Sequence, residues 1–327
     1  MTVRFAPFIG QHCETVATGT LLKSCGIELS EPMLFGIGEG LGFVMLNLAS
    51  LPLPFLGGRS RPFALTEALC RNLELECMAR ETSSRATAWK TLTENLDAAR
   101  PVGLQLDCFH LPYFSQPIHF AGHFVAAHGI EGDDVLLVDT EPQGSLQRAP
   151  RKALEAARFA RGPMSAKARS WTIDARSAKL RLPTAIRRAI RSNARSYLAP
   201  PFSGASYRGI AKLAKSLPKW RRLARRPAVD FALAGELMER AGTGGALFRN
   251  FYRDFLRESR EHLPGARATL EAGHAMFAES AEAWSKIARL VGSAAQGSDA
   301  PLLEAADLCE RIATLETAAM RALAKIK

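Results

Sequence analysis

Cys13 is the residue in this chain best placed for nucleophilic chemistry. It sits in Gln11-His12-Cys13-Glu14-Thr15, ahead of Val16, Thr20, Leu21 and Cys25 at helical spacing, with Gly26 as a C-terminal stop. A cysteine in the first turn of a helix faces N–H groups that have no intrahelical acceptor and the positive end of the helix dipole. Both stabilise a thiolate and a developing oxyanion. Taken alone, Cys13 reads more readily as a buried core thiol; the residues downstream change that balance.

A thiol nucleophile needs a base within hydrogen-bond reach, and the base needs a partner that orients it. His123 opens one apolar strand, His123 to Ile130, and Asp139 ends the next, Val135 to Asp139; the polar Glu131-Gly132-Asp133-Asp134 between them is a hairpin turn. Antiparallel neighbours lie about 4.8 Å apart, so His123 and Asp139 meet near the open end of that hairpin. An early-helix cysteine, a histidine opening a hairpin and an aspartate closing it follow the chain order of papain-like thiol enzymes. Gln11 is a candidate oxyanion donor beside the Cys13 N–H. His12, His119 and His128 compete for the base role, His119 most seriously, because its loop is short enough to reach the same cleft. Asp139 also reads as a turn cap.

The elements that must position these groups divide the chain. Residues 1–175 mix helices and strands, whereas residues 176–327 are almost entirely helical in periodicity, so the fold class is α+β: a front domain with an antiparallel sheet, papain-like in the order of its cysteine, histidine and aspartate, then a helical domain. Helices are expected after Ser30, over 65–72, 85–99 and 150–160, and in long segments from Pro183 onward. Strands are expected over 43–48, 102–109, 123–130 and 135–139, with an edge strand over 170–173. Residues 52–58 read as a loop. The glycines of Gly36-Ile37-Gly38-Glu39-Gly40-Leu41-Gly42 lack the preceding strand and the closing Lys-Ser/Thr of a phosphate loop. They read instead as a tight turn needing positive φ or close approach to a substrate.

Length and composition narrow the class further. With 327 residues and 47% hydrophobic content the chain can bury two cores. Six cysteines without CxxC pairs or His-rich spacing predict free thiols and no metal site. No signal pattern or long apolar run is present, so a cytoplasmic location and no membrane partner are expected. The net charge of +11 is concentrated: residues 151–226 hold 21 Lys and Arg against 2 Asp and Glu, with net negative charge on either side. Such a block attracts nucleic acid or an acidic protein, or is merely solvated. The aromatic interleaving of specific nucleic-acid binders is missing, so nucleic acid is not the expected partner.

The run Gly122-His123-Phe124-Val125 with Val135-Leu136-Leu137-Val138-Asp139 resembles the His and Asp boxes of bacteriocin-processing cysteine peptidases, which are papain-like. A broader likeness covers most of the chain. Gly10-Gln11-His12-Cys13, Leu29-Ser30-Glu31, Phe35-Gly36-Ile37-Gly38, Gly40-Leu41-Gly42-Phe43, Leu111-Pro112-Tyr113 and His119-Phe120-Ala121-Gly122-His123 are similar to the butirosin biosynthesis protein H family, as are Gly242-Thr243-Gly244-Gly245 and Phe248-Arg249 in the rear half. That resemblance implies an acyltransferase of secondary-metabolite biosynthesis. It would take an acyl group from the phosphopantetheine thioester of an acyl carrier protein, through an acyl-Cys13 enzyme, to an amine acceptor, with no cofactor bound to the chain itself. On that reading Asp107 and Tyr113 hold a cationic amine, Arg249 binds an anionic part of a substrate, and the basic segment meets an acidic carrier. Asp107 reads equally as a strand-end structural carboxylate and Arg249 as a helix-surface arginine. A cysteine hydrolase, peptidase or thioesterase, would use the same three residues.

Overall fold

The computed structural model describes residues 6–48, 51–115, 118–176, 180–240, 242 and 244–327. In chain order they form α1 (Cys13–Ser24), α2 (Glu31–Ile37), β1 (Leu41–Leu46), β2 (Phe55–Arg59), α3 (Ala64–Leu73), β3 (Glu76–Arg80), α4 (Arg85–Asp97) and β4 (Val102–Leu106). Then come β5 (His123–Glu131), β6 (Asp134–Val138), β7 (Leu146–Pro150), α5 (Arg151–Phe159) and β8 (Ser170–Asp174). Only helices follow: α6 (Leu182–Leu198), α7 (Ser206–Ser216), α8 (Trp220–Leu223), α9 (Pro227–Arg240), α10 (Leu247–His262), α11 (Arg267–Ser293) and α12 (Ala300–Leu323). The chain is α+β, and no helix among the described residues is long and apolar enough to cross a membrane. It separates into two units, residues 1–34 with 62–180, and residues 35–61 with 181–327. Residues 35–61 therefore belong with the helical unit, a division that no boundary at 175 captures.

The first unit is built on a six-stranded antiparallel sheet in the order β3-β8-β4-β5-β6-β7. Alternation explains its layers: Val102, Leu104 and Leu106 of β4 pack with Val125 and Ala127 of β5, Val135 and Leu137 of β6, and the apolar residues Leu92, Leu96, Leu154 and Ala157 of α4 and α5. Residues of the other parity, Phe124 and Trp171, meet edge to face, and Trp171 meets Phe63 likewise. α1 lies along β5. Its start is fixed by Glu14, a buried carboxylate that accepts hydrogen bonds from the Phe63 N–H (3.2 Å), the Thr66 N–H (3.0 Å) and the Thr66 hydroxyl (3.1 Å). One side chain of α1 thus caps α3, and Cys13 sits one residue before it.

Several local expectations change. Ser170–Asp174 is not an edge strand, because β3 pairs on its far side; β3 itself, with mostly exposed side chains, shows no apolar alternation to read. Residues 55–59, expected as loop, pair with β1. The strand expected over 102–109 stops at Leu106, where Asp107 accepts from the Phe109 N–H and starts a short 3-10 turn. In the glycine-rich run the positive φ falls on Glu39 (52°), not on a glycine. Gly36 is needed for contact instead, since a Cβ there would lie 2.0 Å from the Phe255 ring.

The second unit packs Phe43, Met45, Leu53 and Leu56 of the β1–β2 pair against the apolar faces of α7, α9, α11 and α12. Its centre is polar. Arg249 is inaccessible and binds Glu316 through two contacts, Nε to Oε1 (2.9 Å) and Nη2 to Oε2 (3.0 Å), while Nη1 donates to the carbonyls of Gly42 (3.2 Å) and Gly58 (3.0 Å). Glu316 also accepts from Ser280 (2.5 Å), Tyr197 (2.5 Å) and the Trp284 indole (3.3 Å). Arg249, expected from the sequence to bind an anionic part of a substrate, has every nitrogen of its guanidinium bonded within the fold.

Candidate active site

All the groups described next lie in the first unit. Cys13 is the first residue of α1, after the extended His12, so its N–H has no intrahelical acceptor. The approach to it is held by Glu31. One carboxylate there accepts from the Gln11 N–H (2.9 Å), the His12 N–H (2.9 Å) and the Thr15 hydroxyl (2.7 Å). Burial pushes the Glu31 carboxyl up, against the pull of those hydrogen bonds. A Cβ on Gly10 would stand 2.8 Å from the same carboxylate, which is why glycine precedes Gln11. Sequence reasoning saw Glu31 only as the start of a helix; its contacts span up to 20 residues, and no local spacing encodes them.

His123, first in β5, is nearly inaccessible, and its Nε2 lies 2.8 Å from Oδ2 of the fully buried Asp139. Cys13 lies near enough to the same ring to act on its charge, and Nδ1 is the nitrogen that Asp139 leaves unused. The structure therefore brings Cys13, His123 and Asp139 together. Burial pulls the proton affinity of His123 down, but the Asp139 charge, the Cys13 sulfur and hydrogen bonds to both outweigh it and hold His123 well above the ordinary imidazole value. Phe114 closes edge-on over the ring, 5.3 Å between ring centroids.

Asp139 has its own anchors. Its Oδ1 accepts from the Thr140 N–H (2.6 Å), and the Tyr113 hydroxyl donates to Oδ2 (2.8 Å). Burial and the neighbouring carboxylate push the Tyr113 hydroxyl far up, so it stays a donor. Tyr113, expected to hold a substrate amine, here gives its hydroxyl to Asp139. The other candidates are dispersed. Gln11 is exposed and its Nε2 donates to Glu141 (2.5 Å), so that amide is not aimed at an oxyanion. His12 is buried with its ring beside the Thr15 hydroxyl. His128 lies in the bulge where the register of β5 on β6 shifts. His119, the expected rival base, is exposed and turns Nδ1 to Asp107 (3.0 Å). Asp107, buried, also accepts from the Phe109 and Phe120 N–H groups (3.0 and 2.9 Å), contacts of the kind a strand-end carboxylate makes.

These contacts make an ion-pair prediction. Asp139→Asn removes the first of the charges that offset burial, so the His123 pKa should fall, as read by ring NMR against pH. The sign follows by linkage. The raised folded-state value adds stability that is full below about pH 6.5 and lost as pH rises through that value. Asp139→Asn should flatten this alkaline loss; an unchanged His123 titration would contradict the contact.

Chemically, the arrangement offers a thiol, a base that can take and return a proton, a buried carboxylate that holds the base, and a helix-start N–H beside the sulfur. No curated protein matches the chain. Residues 12–140 match the family described as butirosin biosynthesis protein H, N-terminal, a stretch that contains Cys13, His123 and Asp139. Residues 152–323, more than half of the chain, match the family described as domain of unknown function (DUF4872). The chain belongs to that family, and its front part is a butirosin biosynthesis protein H N-terminal domain.

Proposed function

We propose that this protein is an acyltransferase of antibiotic or related secondary-metabolite biosynthesis, which moves an acyl group from a carrier-protein thioester to an amine. The observation that carries the reading is the buried His123–Asp139 pair, Nε2 to Oδ2 at 2.8 Å, with Cys13 near the same ring. The Cys13 thiolate attacks the thioester carbonyl, the carrier thiol leaves with the His123 proton, and an acyl-Cys13 thioester remains. His123 then accepts a proton from the amine as it attacks; the amide leaves and the Cys13–His123 pair is restored. Thioester exchange is nearly isoenergetic and amide formation drives the second step. The developing oxyanion meets the Cys13 N–H at the start of α1 rather than Gln11. A papain-like ancestry agrees with the order of the three residues and the antiparallel sheet. The phosphopantetheine arm would come with the carrier and leave with it.

The basic segment supports an acidic partner. On α6 and α7, Arg187, Arg195, Arg208, Lys212 and Lys215 are exposed. Arg187→Glu with Arg195→Glu should raise KM for a carrier-bound thioester about tenfold at low salt and leave KM for a small-molecule thioester unchanged. Equal effects on both donors would remove the carrier from the proposal. The direct test is incubation with acyl-carrier thioesters and an amine. Acylated amine supports transfer; free acid in the presence of amine supports the hydrolase reading, which shares the same three residues.

A further inference from the structure

We infer that Asp107, His110 and His119 form a site for a divalent transition metal of the zinc class. Among the described residues they are a set of three whose ligand atoms all lie within 4.8 Å of one another. The sequence expectation of no metal rested on cysteine pairs and histidine spacing; here a tight turn brings Asp107 and His110 together, and the return of the chain into β5 adds His119. The carboxylate is prepared for the task. Its Oδ1 is held by the Phe109 and Phe120 N–H groups, which leaves Oδ2 facing His119 Nδ1 at 3.0 Å. Hydrogen-bonded carboxylates of this kind are the usual ligands of metal centres.

The two imidazoles stand on an aromatic shelf beside the carboxylate. His119 stacks on Phe109 (centroids 3.9 Å apart, 15° between planes), while His110 stands edge-on to Phe109 at 5.2 Å and 6.0 Å from His119. A simple His119–Asp107 ion pair does not need the second histidine. Two ligands at about 2.1 Å from one ion lie roughly 3.0–3.5 Å apart, a spacing that the 3.0 Å His119–Asp107 contact already meets. The His119 side chain is 67% exposed. Two imidazoles and one carboxylate suit zinc and its first-row neighbours and leave open positions on the ion. An ion there would staple the two ends of the segment that carries Tyr113, the donor to Asp139. Its binding is independent of the acyl-transfer reading.

The test is titration of the metal-free full chain with Zn2+ by calorimetry and with Co2+ by absorption. One ion per chain is expected, with a Co2+ spectrum lacking thiolate charge transfer. His110→Ala and His119→Ala should each weaken binding at least about tenfold, and Cys13→Ala should leave it unchanged. Zn2+ should also raise the melting temperature of the wild type but not of His119→Ala. No binding at micromolar ion, equal binding by His110→Ala with His119→Ala and wild type, or binding lost in Cys13→Ala with a thiolate band would each overturn the site.

Discussion

Cys13→Ala should fold as the wild type does and form no acyl-enzyme, with turnover of a carrier thioester reduced about 10^4-fold or more. The chemical reason is that nothing else nearby replaces the sulfur. Cys108 is the neighbouring thiol, but burial pushes it up to about 11 and its Sγ is engaged with the Ile118 carbonyl. His123 keeps Asp139 in the variant but loses the group it would deprotonate. The cost in stability should stay within about 1 kcal/mol, because Cys13 is only half-buried and alanine suits a helix start. Intact mass after thioester treatment separates the outcomes: an adduct in the wild type, discharged by amine and missing from Cys13→Ala, is the expected result. An adduct that persists in Cys13→Ala places the nucleophile elsewhere, and none in either protein removes the thioester chemistry.

Arg249→Leu should cost about 3–5 kcal/mol of unfolding free energy, the largest effect expected from a single change outside the first unit. The substitution leaves Glu316 charged, inaccessible and without its cation, and it abandons the carbonyls of Gly42 and Gly58. Within the second unit, the guanidinium joins β1 and β2 to the carboxylate on α12, so the loss should appear as a lower denaturant midpoint. Adding Glu316→Leu should recover part of it, since the unpaired charge is gone. Recovery is incomplete because Ser280, Tyr197 and Trp284 then lose their shared acceptor, each a cost of about 1–3 kcal/mol when buried. Unchanged stability of Arg249→Leu together with lost acceptor binding would return Arg249 to the ligand role that its sequence context suggested.

What the sequence determined by itself was whatever depends on neighbours along the chain. The periodicity that marks α1, α4 and the long helices α6, α7 and α9 to α12, the hairpin of β5 and β6, and the placing of Cys13, His123 and Asp139 at the ends of such elements are all local patterns. A nucleophile at a helix start and two polar residues bracketing an apolar hairpin stand out because the surrounding apolar pattern makes them exceptions. Tertiary structure decided everything that depends on which polar group reaches which across distance. Glu141 takes the Gln11 amide from 130 residues away, Tyr113 turns to Asp139, Asp107 to the backbone of its own loop, and Arg249 to Glu316. The strands β2, β3 and β7 escaped notice because short or edge strands pair through backbone groups, which every residue carries alike. Long side chains choose their partners only once burial removes water as the alternative, and spacing along a chain does not record that competition.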